Sequence, residues 1–177
     1  MRLALMMRPI HALEVSIGWT QIDKNQLELA QDMLWNIEEL RLHDFSLFET
    51  VTTDINTPSL KSLRLTNFAT LKLEVLEALC KRNYQNICAL HLKEIWFSTD
   101  NHPQRNSIQD NSLSLVHHFS NIGQTCLLQE VSVCSLICGA GDVLEIAELE
   151  ALLLGRLECS EAELIYQSRQ ASAPTFL

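Results

Sequence analysis

Arg41, Arg64 and His91 share one position of a phrase that recurs along this chain, and His43, Thr66 and Lys93 share the position two residues on. If the phrases lie side by side, these residues form two columns of basic and hydrogen-bonding side chains. Guanidinium forks grip carboxylates and phosphates through paired N–H···O bonds, so such columns suit recognition of an acidic partner. Arg41 and Arg64 would then be immediate neighbours, a like-charge placement costing roughly a few tenths of a kcal/mol. Glu39 can relieve this by pairing with either arginine. The long basic stems would also cover apolar strand surface.

Other chemistry is sparse. The chain contains no G-x-S-x-G, H-E-x-x-H, P-loop or G-x-G-x-x-G pattern, the short motifs that carry nucleophilic, zinc or phosphate chemistry. Gly139, Gly141 and Asp142 lead into a helical stretch without the Lys and Ser/Thr of a P-loop, and read as a turn. His117 and His118 have no acidic or cysteine companion at i±4. Cys134 and Cys138 lie four apart with no second pair to complete a zinc set. The expectation is a protein that is not an enzyme, with no cofactor and no metal. Trp19, Trp35 and Trp96 are expected to pack under turns. Because the aromatics do not interleave with basic residues, the chain does not read as a nucleic-acid binder.

The phrase that spaces the basic residues is apolar, two variable, apolar, one variable, apolar. It occurs as Ile10-Leu13-Val15, Ile37-Leu40-Leu42, Leu60-Leu63-Leu65, Ile87-Leu90-Leu92, Leu128-Val131-Val133 and Leu149-Leu152-Leu154. Its central residues are 13, 40, 63, 90, 131 and 152, giving steps of 27, 23, 27, 41 and 21 residues. An L-x-x-L-x-L phrase recurring every roughly 20–29 residues marks a leucine-rich-repeat solenoid. Each phrase reads as a short strand with alternating faces, and like phrases stack as parallel neighbours. The expected fold is therefore α/β: a right-handed, ribonuclease-inhibitor-like leucine-rich-repeat solenoid of about six irregular repeats, with a parallel sheet on its concave face.

The segments between phrases are uneven. Helical apolar stripes run through residues 26–35, 71–80 and 114–122. Another helix is expected over residues 143–149 with Asp142 as its cap, and a last one over 161–169. Residues 46–58 are β-branched and end in Thr-Pro, predicting a short irregular return. Residues 98–112 are polar, contain Pro103, and explain the longest step as an inserted loop. In the sixth phrase Ala151, Leu153 and Gly155 would leave an apolar strand face, which residues 158–177 are expected to cover as a cap. Residues 1–177 read as one domain, with the array incomplete at its N-terminal end.

Bulk properties agree with a water-soluble binding scaffold. The net charge is −9, from 22 acidic and 13 basic residues, which disfavours bulk attraction to nucleic acid or anionic membrane. No apolar run reaches the length of a membrane span. Residues 1–7 are too short and too interrupted by charge for a signal peptide. Six cysteines without such a signal are expected to stay reduced, and no N-glycosylation acceptor occurs. Together these predict an intracellular protein, cytoplasmic or nuclear.

The stretches IEELRLHDF at residues 37–45 and LKSLRLTNF at residues 60–68 resemble the irregular leucine-rich repeats of fungal F-box and related proteins. In those repeats a Phe or similar residue often follows where others carry Asn. Here that position holds Gly18, Phe45, Phe68, Ile95, Leu136 and Leu157, so no asparagine ladder is expected. The resemblance implies a substrate-recognition part of an F-box-type ubiquitin ligase. No F-box pattern precedes the first phrase, so no F-box residue is carried over, and a link to a ligase adaptor holds only if an F-box lies upstream. The sequence thus predicts a protein–protein interaction scaffold that binds an acidic protein partner through Arg41, His43, Arg64, Thr66, His91 and Lys93. The alternative is a stand-alone structural or regulatory repeat fragment with no ligase link.

Overall fold

Leu40, Leu63, Leu90 and Val131 each sit at the centre of an apolar-polar alternation, and each pairs with the next across a parallel sheet. The structure, a computed structural model, describes residues 11–16, 36–43, 57–98, 108–138 and 144–172. Among them the strands are β1 (Ala12–Ser16), β2 (Glu39–His43), β3 (Ser62–Lys72), β4 (Ala89–Ser98) and β5 (Glu130–Cys138). The helices are α1 (Leu73–Arg82), α2 (Ile108–Thr125), α3 (Ile146–Leu153) and α4 (Cys159–Ser172). All neighbouring strands are parallel and run in the order β1-β2-β3-β4-β5. The fold is α/β, with this sheet on one side of the core and helices on the other.

One face of the sheet is apolar. Leu42, Leu63, Leu65, Leu90, Leu92 and Val133 point into a core shared with Leu73, Leu76, Phe119, Ile122 and Leu152. Several of these side chains are wholly buried, each contributing about 1.5–3 kcal/mol by leaving water. Edge-to-face packing of Phe97 on Phe119, at 5.8 Å and 83°, joins β4 to α2.

Two backbone devices recur from strand to strand. The carbonyls of His11, Glu38, Lys61 and Cys88 each accept two N–H groups from the start of the next strand, at 2.8–3.0 Å. These bonds set every strand entrance at the same height. Further along, Asn67, Glu94 and Ser135 adopt left-handed φ values of 58°, 55° and 56°. Each lies one residue before an in-register pairing, Phe68 with Ile95 and Ile95 with Leu136. The left-handed residue breaks the strict alternation, so Phe68 and Ile95 turn inward behind Leu65 and Leu92 instead of outward. Glu94 carries no glycine-like freedom, and its conformation costs about 1–2 kcal/mol that the buried Ile95 offsets.

The helices begin and end for identifiable reasons. The expected helix over residues 71–80 instead starts at Leu73, because Leu71 and Lys72 continue β3 beside Phe97 and Ser98. Its buried stripe is Leu73, Leu76, Glu77, Leu79 and Cys80, the spacing of one helix face. Asn83 stops it: its amide donates to the Leu79 carbonyl at 3.0 Å, and its Oδ1 accepts from the Thr57 hydroxyl at 3.4 Å. The expected loop over residues 98–112 is shorter than its polarity suggested, since Ser98 ends β4 and residues from Ile108 are helical. Residues 99–107 fall outside the described set, as do the stripe at 26–35, most of the return at 46–58, and Asp142 with its glycines.

The sixth phrase is not a strand. Leu149, Leu152 and Leu153 are buried residues of helix α3, so the apolar strand face expected from Ala151, Leu153 and Gly155 does not exist. The reason is local. IAELEALL lacks β-branched residues after Ile146, its leucines recur at helical spacing, and Glu145 and Glu148 form a reciprocal capping box at its start. The helix also serves the sheet edge, where the Glu150 carboxylate accepts the Val133 N–H at 2.9 Å. An edge strand with a satisfied donor is a poorer template for further pairing.

Gly123 and Gly155 let α2 and α3 meet. A Cβ on Gly123 would stand 2.0 Å from the Leu152 carbonyl oxygen, and Gly155 has φ of 63°. Within the expected cap of residues 158–177, helix α4 packs against α2 and α3 rather than across the strands, burying Ala162 and Tyr166.

Candidate functional site

The open face of the sheet carries the sequence-predicted residues in the expected register. Arg41 pairs with Arg64 and Arg64 with His91; His43 pairs with Thr66 and Thr66 with Lys93. All six residues therefore lie on one surface, in two adjacent columns. The columns continue onto Ser132 and Cys134 of β5, and the first begins at Glu14 of β1.

Their charges are less even than a basic stripe. Arg41 donates from Nε to the Glu39 carboxylate at 2.8 Å, and its Nη1 lies 3.8 Å from Glu14. The Glu39 carboxylate holds the Arg41 guanidinium more firmly charged than usual, and Arg41 in turn lowers the Glu39 carboxyl. Lys93 faces Glu94 at 3.6 Å. His91 is largely covered; burial, then the charge of Arg64, pushes its imidazole below the usual range despite Glu130 at 3.7 Å. At neutral pH it is an uncharged hydrogen-bonding group between two strands. Arg64 differs from Arg41, His91 and Lys93. It is exposed and forms no hydrogen bond or ion pair among the described residues. With Glu14, Arg41, Leu42, His43 and Thr66 it lines a shallow depression of about 380 Å³.

This arrangement can present one guanidinium that is unpaired among the described residues and one braced guanidinium on neighbouring strands, flanked by the Thr66 hydroxyl and two imidazoles. That is a donor-rich surface. Among the described residues, Trp96 is half exposed on β4 rather than packed under a turn, and lies away from these columns.

Two further groupings escaped the reading of spacing. His118 on α2 contacts the buried Glu77 carboxylate of α1 through Nδ1 and approaches Glu74 through Nε2 at 3.7 Å. Lys81 also pairs with Glu77. Burial alone would raise the Glu77 carboxyl, but its hydrogen bonds from Lys81 and His118 outweigh that and hold it below the usual range. His117, one residue back, faces the opposite neighbour and meets Cys159 and Glu163 of α4. Both histidines lack partners on their own helix, so only packing could have shown these contacts.

No helix among the described residues is long and apolar enough to cross a membrane. Five cysteines, Cys80, Cys88, Cys126, Cys134 and Cys159, are free. Burial pushes the Cys80 thiol up and the Cys126 thiol up to about 11, so both behave as packing residues. In comparison with known proteins, the chain matches no family model, no curated protein and no solved structure.

Proposed function

We propose that the protein is a recognition scaffold that binds an acidic segment of a protein partner across the open face of its sheet. The observation that carries this reading is the in-register neighbourhood of Arg41 and Arg64, with Arg64 exposed and unpaired among the described residues. Holding two guanidinium groups on adjacent rungs is mildly unfavourable in the free protein, and an incoming carboxylate relieves it. Arg41 is already braced by Glu39, so less side-chain freedom is lost on binding.

On this reading the sheet and its return helices form an arc of a leucine-rich-repeat-type solenoid. The doubled carbonyl contacts at His11, Glu38, Lys61 and Cys88 and the left-handed residues Asn67, Glu94 and Ser135 support it, because each recurs once per phrase. The resemblance to F-box repeats extends the proposal to substrate recognition in a ubiquitin ligase, with an intracellular partner. A stand-alone regulatory repeat protein would use the same face.

The test is a binding scan of the folded protein against peptide arrays graded in Asp/Glu content, read by fluorescence anisotropy. Arg64→Glu is expected to weaken an acidic binder at least about tenfold, while Ser132→Ala changes it little. Equal binding by wild type and Arg64→Glu, with unchanged thermal melts, overturns the reading.

A further inference from the structure

His117, Cys159 and Glu163 converge where α2 meets the start of α4. The Cys159 sulfur lies 3.3 Å from His117 Nδ1 and 3.6 Å from Glu163 Oε1. His117 Nε2 lies 3.3 Å from the same carboxylate oxygen. One donor atom from each residue falls within 4.8 Å of the others. Cys159 and Glu163 are one helical turn apart and so share a face of α4, while His117 approaches from α2.

We propose that these three side chains form a binding site for a zinc-like divalent cation, independent of the open sheet face. Tetrahedral zinc with bonds of about 2.0–2.3 Å to N, O and S places its ligand atoms about 3.3–3.6 Å apart. The Cys159–Glu163 separation of 3.6 Å matches such an edge, whereas His117 meets the sulfur through Nδ1 and the carboxylate through Nε2, so its ring must turn for one nitrogen to serve both. The donor set is also selective. Thiolate and imidazole favour zinc over magnesium or calcium, and one carboxylate is a common third ligand.

The same atoms are a poor nucleophilic triad. Glu163 Oε1 stands 3.6 Å from the sulfur as well as 3.3 Å from the imidazole, so the carboxylate opposes a thiolate there instead of only orienting the imidazole. A dication changes the balance: it displaces the thiol proton to solvent and binds the thiolate, the carboxylate and a neutral imidazole together.

The surroundings permit this. The His117 side chain is 57% exposed, so its ring can turn until one nitrogen faces both partners. Its exposure also leaves room for water as a fourth ligand.

The experiment uses the full chain, stripped with a chelator and titrated with Zn²⁺ against a chromophoric competitor, then with Co²⁺ as a spectroscopic stand-in. One equivalent is expected to bind, with a Co²⁺ spectrum containing thiolate charge-transfer absorption and a Zn²⁺-dependent rise in melting temperature. Cys159→Ser and His117→Ala are each expected to weaken binding at least about 100-fold. Cys134→Ser, an exposed cysteine on β5, controls for adventitious thiol binding and should change nothing. The proposal is overturned if wild type binds no stoichiometric Zn²⁺, or if binding persists in Cys159→Ser, or if the Co²⁺ spectrum lacks the thiolate band. Excess Mg²⁺ should not compete, and competition by it would likewise overturn the assignment. Both ligand substitutions lie at the helix surface, so matched melts without metal separate lost ligation from lost folding.

Discussion

Arg41 and Arg64 are neighbours because β2 and β3 pair in register; His117 and Cys159, 42 residues apart in sequence, are neighbours because two helices pack side by side. On the sheet face each charged residue is repeated at the period of the phrase, and a one-residue slip would move all of them inward together. At the helical junction nothing repeats. His118 reaches Glu77 on α1 while the adjacent His117 reaches Glu163 on α4, although both stand on one helix. A periodic surface tolerates changes one position at a time. A junction of unlike helices depends on a few close approaches.

The contrast can be broken most severely at Gly123. Alanine there would drive its Cβ into the Leu152 carbonyl at the α2–α3 crossing. Gly123→Ala should cost about 3 kcal/mol or more in urea unfolding, whereas Ser132→Ala on the open face should stay within about 0.5 kcal/mol. A Gly123→Ala loss below about 1 kcal/mol would mean that the helices slide apart freely and that the junction is not rigid.

Acid separates the two regions next. His91 on the sheet has a folded pKa below its ordinary 6.5, so the unfolded chain binds the proton more readily. Its contribution is complete above 6.5 and is lost as pH falls through that value towards the folded pKa. Glu77 at the α1–α2 contact is also lowered, from an ordinary 4.5; its contribution is complete above 4.5 and fades only as pH drops further. Stability measured from pH 8 to 3 should fall in two stages, with His91→Gln removing the first and Glu77→Gln shrinking the second, to which the lowered Glu39 carboxyl also contributes. Glu77→Gln should also cost about 1–2 kcal/mol at neutral pH, because the contacts to Lys81 and His118 weaken. A single acid stage unaffected by His91→Gln would show that the sheet face is electrostatically indifferent to folding.

The smallest effect has the opposite sign. Tyr166 is buried on α4 with a hydroxyl that has no hydrogen-bond partner among the described residues. Tyr166→Phe should raise stability by about 1 kcal/mol in thermal or urea melts, since an unpaired buried hydroxyl is removed at constant shape. A loss instead of a gain would place a bound water or a further side chain on that oxygen.

Much of the sheet was legible in the chain itself. The centres Leu13, Leu40, Leu63, Leu90 and Val131 were found from spacing, and each aligns with the next in the structure. The two basic columns followed from the same alignment. The count of strands did not survive, because Leu149-Leu152-Leu154 satisfies the strand phrase and helical spacing alike. Leucine spacing cannot choose between them; the Glu145–Glu148 capping box and the Gly123 contact can. The expected charge of the open face was likewise too simple. Glu14 and Glu39 pair with Arg41, Glu94 pairs with Lys93, and burial, with the charge of Arg64, leaves His91 uncharged.

Sequence alone determined the alternation of apolar and polar residues, the interval between phrases, and hence which side chains share a face of a parallel sheet. These are local and periodic properties, carried by the two-residue repeat of a strand and the length of each return. Tertiary structure alone decided that the sixth phrase becomes a helix guarding the edge of β5, that Arg64 has no partner among the described residues while Arg41 is braced, and that His117, Cys159 and Glu163 meet. Each of these depends on the separation and angle of elements far apart in the chain, which packing sets and no local pattern encodes.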